Sequence, residues 1–266
     1  MKHQKLVFIL SLIILVLTVT ATLGGLLIPS LYQDNERFVT IWQSNDLITL
    51  VIAVPLLIYV LFRSFHKLTP RLLMTWIGLL LFLFYNYSYY VFGASFNALY
   101  LIYLFIYTLS IPALIYSVVD LMKFNLINAQ SKKIPNRLLA GYMIFIAFGL
   151  SVVYIMQSLS FVMTGVLPAI ITASGHVTSI VFTLDFSMVI LFYVIAAIYL
   201  IKKNPIGIAL AWIFNIKSVI YMLVLSYGSY RTESAEIGLW LTIGLFSAIA
   251  LVLIYKHLNT IQIDNK

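Results

Sequence analysis

Long apolar segments alternate with short polar ones along the whole 266-residue chain. Each apolar segment has roughly the length, about 20 residues, of an α-helix that crosses a bilayer. The pattern predicts eight such helices, at about 6–29, 46–65, 71–92, 96–120, 138–158, 178–201, 206–228 and 237–257. We therefore expect an all-α fold, a polytopic transmembrane helix bundle that forms a single transmembrane domain over residues 1–266.

Two segments depart from this alternation. Residues 30–46 are polar, and we interpret them as a loop with Tyr32 and Trp42 at the membrane interface. Residues 159–177 are apolar, but a further full crossing there would disturb the charge distribution described below. They also contain three helix-breaking residues: Gly165, Pro168 and Gly175. We expect this segment to be interfacial or re-entrant.

Composition supports the membrane assignment. Hydrophobic residues make up 63% of the chain and charged residues 9%, against about 45–50% and about 25% in soluble domains. The absence of cysteine excludes disulfides, thiolate metal sites and iron–sulfur clusters. We expect no cofactor and no metal. The first apolar segment is longer than the ~7–15-residue core of a signal peptide, which favours a retained helix.

Basic residues are concentrated on one side of the predicted topology. With eight spans and a cytoplasmic N-terminus, the cytoplasmic side carries most of the Lys and Arg residues: Lys2, Lys5, Arg63, Lys67, Arg71, Lys123, Lys132, Lys133, Arg137, Lys202, Lys203, Lys256 and Lys266. The opposite side carries Arg37 and Arg231, and Lys217 lies within the seventh helix. This distribution follows the positive-inside rule, so we expect both termini in the cytoplasm. The net charge of +8 is then explained by orientation, without a nucleic-acid partner.

A faint repeat relates the two halves of the chain. Asp46 lies 17 residues before Arg63, and Asp185 lies 17 residues before Lys202. Each basic residue is followed by a Pro, a Trp and, nine residues later, a Tyr: Pro70, Trp76 and Tyr85 in one half, Pro205, Trp212 and Tyr221 in the other. One interpretation is a duplication of four helices in the same orientation, a 4+4 parallel repeat with halves 1–122 and 137–258. The other is chance likeness between apolar helices with basic ends.

Two ionisable residues, Asp185 and Lys217, interrupt consecutive apolar helices that are joined by the turn KKNP. An unpaired charge inside a bilayer costs at least ~2.5–3.5 kcal/mol. Short connections place consecutive helices side by side, so we expect these two residues to form a neutralising pair in the outer half of the membrane. Asp46, Asn86 and Asn97 fall in the same outer half and are expected to line the approach to the pair.

The chain lacks the standard catalytic signatures, among them H-E-x-x-H, G-x-S-x-G and the P-loop. Three hypotheses remain. The first is small-molecule or ion transport or binding through an outward-facing polar site, with the lipid bilayer and a small molecule or ion as partners. The second is a structural or regulatory membrane subunit, in which the Asp185–Lys217 pair only holds two helices together. The third is a membrane enzyme that uses an external carboxylate.

Two stretches are similar to segments of other proteins. Residues 43–57 (QSNDLITLVIAVPLL) form one of them. The other is 176–191 (HVTSIVFTLDFSMVIL) followed by 202–219 (KKNPIGIALAWIFNIKSV). They resemble an uncharacterised group of bacterial multi-span membrane proteins with no assigned activity. The resemblance implies a bacterial cytoplasmic-membrane location and nothing about chemistry.

Overall fold

The computed structural model describes residues 3–124 and 134–257, and the regular structure in these ranges is entirely helical. Four of the basic residues used for orientation, Lys2, Lys132, Lys133 and Lys266, lie outside the described ranges. The helices within them are α1 (Gln4–Leu27), α2 (Glu36–His66), α3 (Pro70–Phe92), α4 (Tyr100–Leu121), α5 (Asn136–Thr164), α6 (Ala169–Ser174), α7 (Ile180–Ile201), α8 (Pro205–Arg231) and α9 (Ile237–His257). Every one of these except α6 is long and apolar enough to cross a membrane. The expected all-α polytopic fold is confirmed.

The start of α2 differs from the prediction. Residues 30–46 were expected to form a loop, but the helix begins at Glu36. Asn35 caps it, because its side-chain oxygen accepts a hydrogen bond from the Phe38 N–H at 3.1 Å. Glu36 in the first turn adds a favourable interaction with the positive end of the helix dipole. The loop interpretation is therefore wrong from Glu36 onward, and Asp46 lies well inside α2.

The segment 159–177 begins as a continuation of α5, which runs to Thr164 and not to about 158. Gly165 and Gly175 both adopt positive φ, 70° each, and end α5 and α6 respectively. Residues with a Cβ rarely take this conformation, which explains why glycine stands at both positions. The helix-breaking residues thus do interrupt the segment, while its interfacial or re-entrant placement stays a prediction.

Packing divides the chain into two compact units. Unit 1 comprises Met1–Ile134 and Trp212–Lys266, and unit 2 comprises Pro135–Ala211. These boundaries are not those of the halves 1–122 and 137–258 suggested by the repeat, and the duplication itself stays a prediction.

Unit 1 is built around α3, which has most of its surface buried. The Trp76 indole N–H donates to the Ser11 hydroxyl at 2.9 Å and ties α3 to α1. Gly78 allows α8 to approach closely, because a Cβ there would lie 2.7 Å from the Ile216 side chain. Small residues at such contacts are typical of membrane helices, since close backbone approach replaces a hydrophobic driving force.

The central position of α3 corrects a second expectation. Tyrosines near the end of a membrane helix are ordinarily interfacial, but Tyr85, Tyr87, Tyr89 and Tyr90 are all buried. Tyr32 and Trp42, expected as interface anchors, are also buried. The aromatic end of α3 therefore contributes hydroxyl groups to the interior of unit 1.

Unit 2 contains α5, α6, α7 and the first turns of α8. Its main contact is between α5 and α7. The buried face of α7 carries Tyr193, Ala196, Ala197 and Leu200. This face is narrow and rich in small residues, as expected for two helices that pack closely in a membrane.

Candidate functional site

Asp46 is a buried carboxylate held by two tyrosines. The side chain is 1% exposed. The Tyr32 hydroxyl donates to Asp46 Oδ2 at 2.5 Å, and the Tyr90 hydroxyl donates to Asp46 Oδ1 at 2.9 Å. No Lys, Arg or His among the described residues lies within ion-pair distance of Asp46. The described side-chain partners of Asp46 are therefore hydroxyl groups and not a cation.

Tyr32 comes from the segment between α1 and α2 and is itself buried. Burial, followed by the neighbouring Asp46 carboxylate, raises the pKa of the Tyr32 hydroxyl above its ordinary value. Tyr32 therefore keeps its proton at physiological pH and acts as a hydrogen-bond donor to Asp46.

A glycine makes room for the bond between Tyr32 and Asp46. A Cβ at Gly25 would overlap Asp46 Oδ2 and the Tyr32 hydroxyl. Gly25 and Tyr32 also line a cavity that is partly open to the surface, together with Pro29, Ser30 and Gln43 among others. Tyr32, which donates to Asp46, is thus also one of the residues that line this cavity.

Further hydroxyl groups lie around this carboxylate without a hydrogen bond of good geometry among the described residues. They belong to Thr18, Tyr87 and Tyr103, all of them buried. The Tyr103 hydroxyl lies beside Tyr32 and Asn97. The Tyr87 hydroxyl lies beside that of Thr18, so these groups form a polar region in the interior of unit 1 next to Asp46.

Asn86 belongs to the same region. Its side-chain oxygen accepts a hydrogen bond from the Asn45 amide at 2.7 Å, and Thr49 donates to the Asn45 oxygen at 3.3 Å. This amide pair and the Asp46–Tyr90 bond link α2 to α3 at successive levels. We call Asp46, Tyr32, Tyr90, Asn45 and Asn86 the Asp46 cluster.

Lys217, on α8 in unit 1, is 4% exposed and contacts aromatic rings. Its ammonium group lies 3.3 Å from the centroid of the Tyr85 ring and 4.9 Å from that of Tyr221. A cation over the face of an aromatic ring gains about 2 kcal/mol when desolvated. This aromatic cage is a physical reason why a lysine is tolerated at this depth.

Asp185, on α7 in unit 2, has a tyrosine partner of its own. The Tyr154 hydroxyl donates to Asp185 Oδ2 at 2.5 Å, and the Tyr154 ring stacks on Phe182 with centroids 4.4 Å apart. Asp185 and Lys217 are thus described in different units, and their pairing stays a prediction.

Asn97 lies before α4, which begins at Tyr100. The sequence had predicted that this helix begins at about residue 96 and so includes Asn97. Its side chain accepts from the Leu99 N–H at 3.0 Å and donates to the Ser95 carbonyl at 3.1 Å. These bonds shape the turn before α4. The described contacts of Asn97 are thus local ones, together with its position beside Tyr103.

Asp46 and Asp185 each precede a π-helical turn. Thr49–Ala53 follows Asp46 in α2, and Phe186–Ile190 directly follows Asp185 in α7. Such turns are rare and are found frequently at functional sites, because they leave backbone groups outside the regular hydrogen-bond ladder. The sequence pattern contains no signal for them.

Of the five residues proposed from the sequence, Asp46 and Asn86 lie in one cluster, and Lys217 lies elsewhere in the same unit. The sequence analysis missed Gly25, Asn45, Tyr32 and Tyr90 as members or supports of the site. The capping signal at Asn35 could have placed Asn45 and Asp46 on a helix. Comparison of the chain with family models, curated proteins and solved structures finds no match.

Proposed function

We propose that this multi-span membrane protein binds a small solute or ion at the Asp46 cluster and moves it across the bacterial cytoplasmic membrane. In the proposed orientation both termini are cytoplasmic and the cavity beside Tyr32 opens to the outside. The lipid bilayer is the protein's environment, and the solute or ion is its ligand.

One observation carries this proposal: Asp46 is a buried acid without a cationic partner among the described residues, placed behind an accessible cavity. A carboxylate in an apolar environment is costly unless it is neutralised. A purely structural acid in a membrane helix is ordinarily neutralised by a partner. An acid compensated only by hydroxyls, within reach of a cavity, is suited to exchange a positively charged or hydrogen-bonding ligand.

The structural-subunit hypothesis is favoured by a different observation. Asp185 and Lys217 each have aromatic or hydroxyl contacts within their own unit. Such contacts stabilise helices without requiring a ligand. On this hypothesis, substitutions at either residue lower stability and leave ligand binding unaffected.

The proposal is tested by thermal unfolding of the purified protein in detergent against a panel of Li⁺, Na⁺, K⁺, Ca²⁺, amino acids and quaternary ammonium compounds, at several pH values. A ligand at 100 times its Kd stabilises the folded state by about 2.7 kcal/mol. We expect at least one ligand or a change of pH to raise Tm in the wild type but not in Asp46→Asn.

Asp120→Asn is the matched control. Asp120 is a second buried acid of unit 1, but it pairs with Lys123 at 2.5 Å. Ligand stabilisation should persist in this variant. Stabilisation that survives Asp46→Asn, or its absence across the whole panel in the wild type, would contradict the proposed function.

A further inference from the structure

We infer that the ligand of the Asp46 cluster is a proton, which Asp46 exchanges with the aqueous phase through the Tyr32 hydroxyl. This inference rests on the proposed function, because it names the ligand of the same site. Its geometric basis is that Tyr32 lines the cavity and donates its hydroxyl to Asp46, and that Gly25, which also lines the cavity, lies against both groups.

Tyr32 connects the two ends of this route. Tyr32 lines the cavity, and its hydroxyl is 2.5 Å from Asp46 Oδ2. A proton-transferring group must lie within hydrogen-bond reach of the atom that it serves, about 2.6–3.2 Å or slightly less when the bond is charge-assisted. Tyr32 meets this requirement without any rearrangement of α2.

The transfer balances with hydronium as the source of the proton. A hydronium ion in the cavity gives a proton to the Tyr32 oxygen as the Tyr32 O–H bond breaks toward Asp46 Oδ2. One O–H bond forms on Asp46, the Tyr32 hydroxyl is regenerated, and water is left in the cavity. Because the phenolate of Tyr32 is not populated, the two transfers are concerted.

Tyr90 provides an alternative arrangement for the protonated state. Its hydroxyl lies 2.9 Å from Asp46 Oδ1 and 3.3 Å from the Trp42 carbonyl oxygen. When Asp46 is ionised, the charge-assisted bond to Oδ1 is the stronger one. When Asp46 is protonated, that bond weakens and the Trp42 carbonyl can accept the hydroxyl. Uptake of a proton therefore leaves the Tyr90 hydroxyl with an acceptor.

A metal cation fits this arrangement less well. Each carboxylate oxygen already accepts a hydrogen bond from a tyrosine, which leaves fewer of its lone pairs for a cation. Hard cations are bound by six or more oxygen ligands, several of them carboxylate or carbonyl oxygens. A proton needs only one oxygen of Asp46.

The groups that face Asp46 are themselves neutral donors. The titratable groups of this region are Tyr32 from the α1–α2 connection, Tyr87 and Tyr90 from α3, and Tyr103 from α4, with Asp34 of the same connection beyond Tyr103. From α1 the neighbouring residue is Gly25, and near Asp46 the residue of α8 that faces α2 is Gly228, opposite Ser44. Asp34 accepts hydrogen bonds from the Ser95 N–H at 3.1 and 3.2 Å and is only partly buried, so Asp46 is the buried acid of this region.

Infrared difference spectroscopy on the purified protein after a pH jump tests the inference. We expect a C=O stretching band of a protonated carboxyl group that titrates with pH, is lost in Asp46→Asn and persists in Asp120→Asn. Tyr32→Phe should keep the band but slow its appearance by about 100-fold, a typical contribution of a positioned proton-transfer group. If Asp46→Asn does not fold, ¹³C-aspartate labelling and the Asp46→Glu variant assign the band.

Three results would overturn the inference. They are the absence of a titrating band from Asp46, an unchanged exchange rate in Tyr32→Phe, and removal of the band by Na⁺ or K⁺ at constant pH.

The proposed function fails separately. If a metal cation or organic solute stabilises the protein through Asp46 while no proton is exchanged, the site remains a binding site and only the proton assignment is wrong.

Discussion

Gly25 shows how one residue without a side chain positions the carboxylate of Asp46. The Tyr32 hydroxyl can reach Asp46 only because no Cβ projects from α1 at this point. The bond that results joins the α1–α2 connection to α2, and both Gly25 and Tyr32 line the cavity. The geometry of the site therefore depends on a close approach between backbone and side chains.

Replacement of Gly25 by alanine should lower the stability of the protein. The new methyl group would overlap Asp46 Oδ2 and the Tyr32 hydroxyl, both buried and held by hydrogen bonds. Overpacking of this kind costs about 1–3 kcal/mol. We expect a lower Tm in detergent and loss of the ligand or proton effect assigned to Asp46.

Gly228→Ala is the control for this prediction. A Cβ at Gly228 would be 3.9 Å from the Ser44 Cβ, an ordinary contact. Because alanine is favoured over glycine within a helix by about 0.5–1 kcal/mol, its Tm should be unchanged or higher. Equal Tm values for the two variants would show that the approach at Gly25 is not tight.

Individual residues were only partly predictable from the sequence. Asp46 and Asn86 stand out because polar groups in an apolar segment are costly, and both lie in the site. Tyr32 and Tyr90 do not stand out, because a tyrosine near the end of a membrane helix is ordinarily an interfacial residue. Their role depends on the burial of α3, which is a property of packing and not of local pattern.

At the scale of the element, the π turn after Asp46 is the feature that the sequence could not indicate. Apolar residues continue through Thr49–Ala53 without a break in hydrophobicity. The same holds for Phe186–Ile190 after Asp185. A π turn accommodates one additional residue in an α-helix. The length and position of α2 were nevertheless predicted well at its C-terminal end, where basic residues follow the apolar segment.

Deletion of Val51 should therefore be tolerated. Val51 lies in the π turn and is exposed. Removal of one residue there allows the turn to close as a regular α-helix, so that the flanking residues keep their faces. The variant should elute as a folded protein in size-exclusion chromatography and unfold cooperatively.

Deletion of Phe105 is the matched control. Phe105 is also exposed but lies in α4, which is a regular α-helix over this stretch. A deletion there rotates all following residues by about 100°, the angle of one residue in an α-helix, and turns the buried face of α4 away from α1 and α3. Misfolding of the Val51 deletion together with a folded Phe105 deletion would contradict the role given to the π turn.

At the scale of the whole molecule, hydropathy and charge were sufficient for the number and order of the membrane helices. Within residues 3–124 and 134–257, eight apolar helices are present where eight were expected. The two compact units were not predicted, because their boundary falls inside α8, an apolar helix without a break. Contacts between helices that are distant in sequence leave no mark on local periodicity.

The proposed pairing of Asp185 with Lys217 is tested by a double-mutant cycle. If the two side chains interact, the effects of Asp185→Asn and Lys217→Met on the free energy of unfolding should be non-additive by about 1 kcal/mol or more. Thermal unfolding or denaturant titration in a constant detergent measures these effects. Asp120 and Lys123 form a local ion pair at 2.5 Å with a largely exposed lysine, and they give the scale of a weak coupling, about 0.2–1 kcal/mol. Additivity within about 0.5 kcal/mol would contradict the pairing.

The central claim is that Asp46 can be reached from the aqueous phase, and cysteine chemistry tests it most directly. The chain contains no cysteine, so a single introduced thiol can be labelled without background. We expect Asp46→Cys to react with a small water-soluble methanethiosulfonate reagent added to intact vesicles, and Ser117→Cys, a fully buried position on α4, to stay unlabelled. Equal protection of the two thiols would show that the cavity does not lead to Asp46 and would contradict the claim.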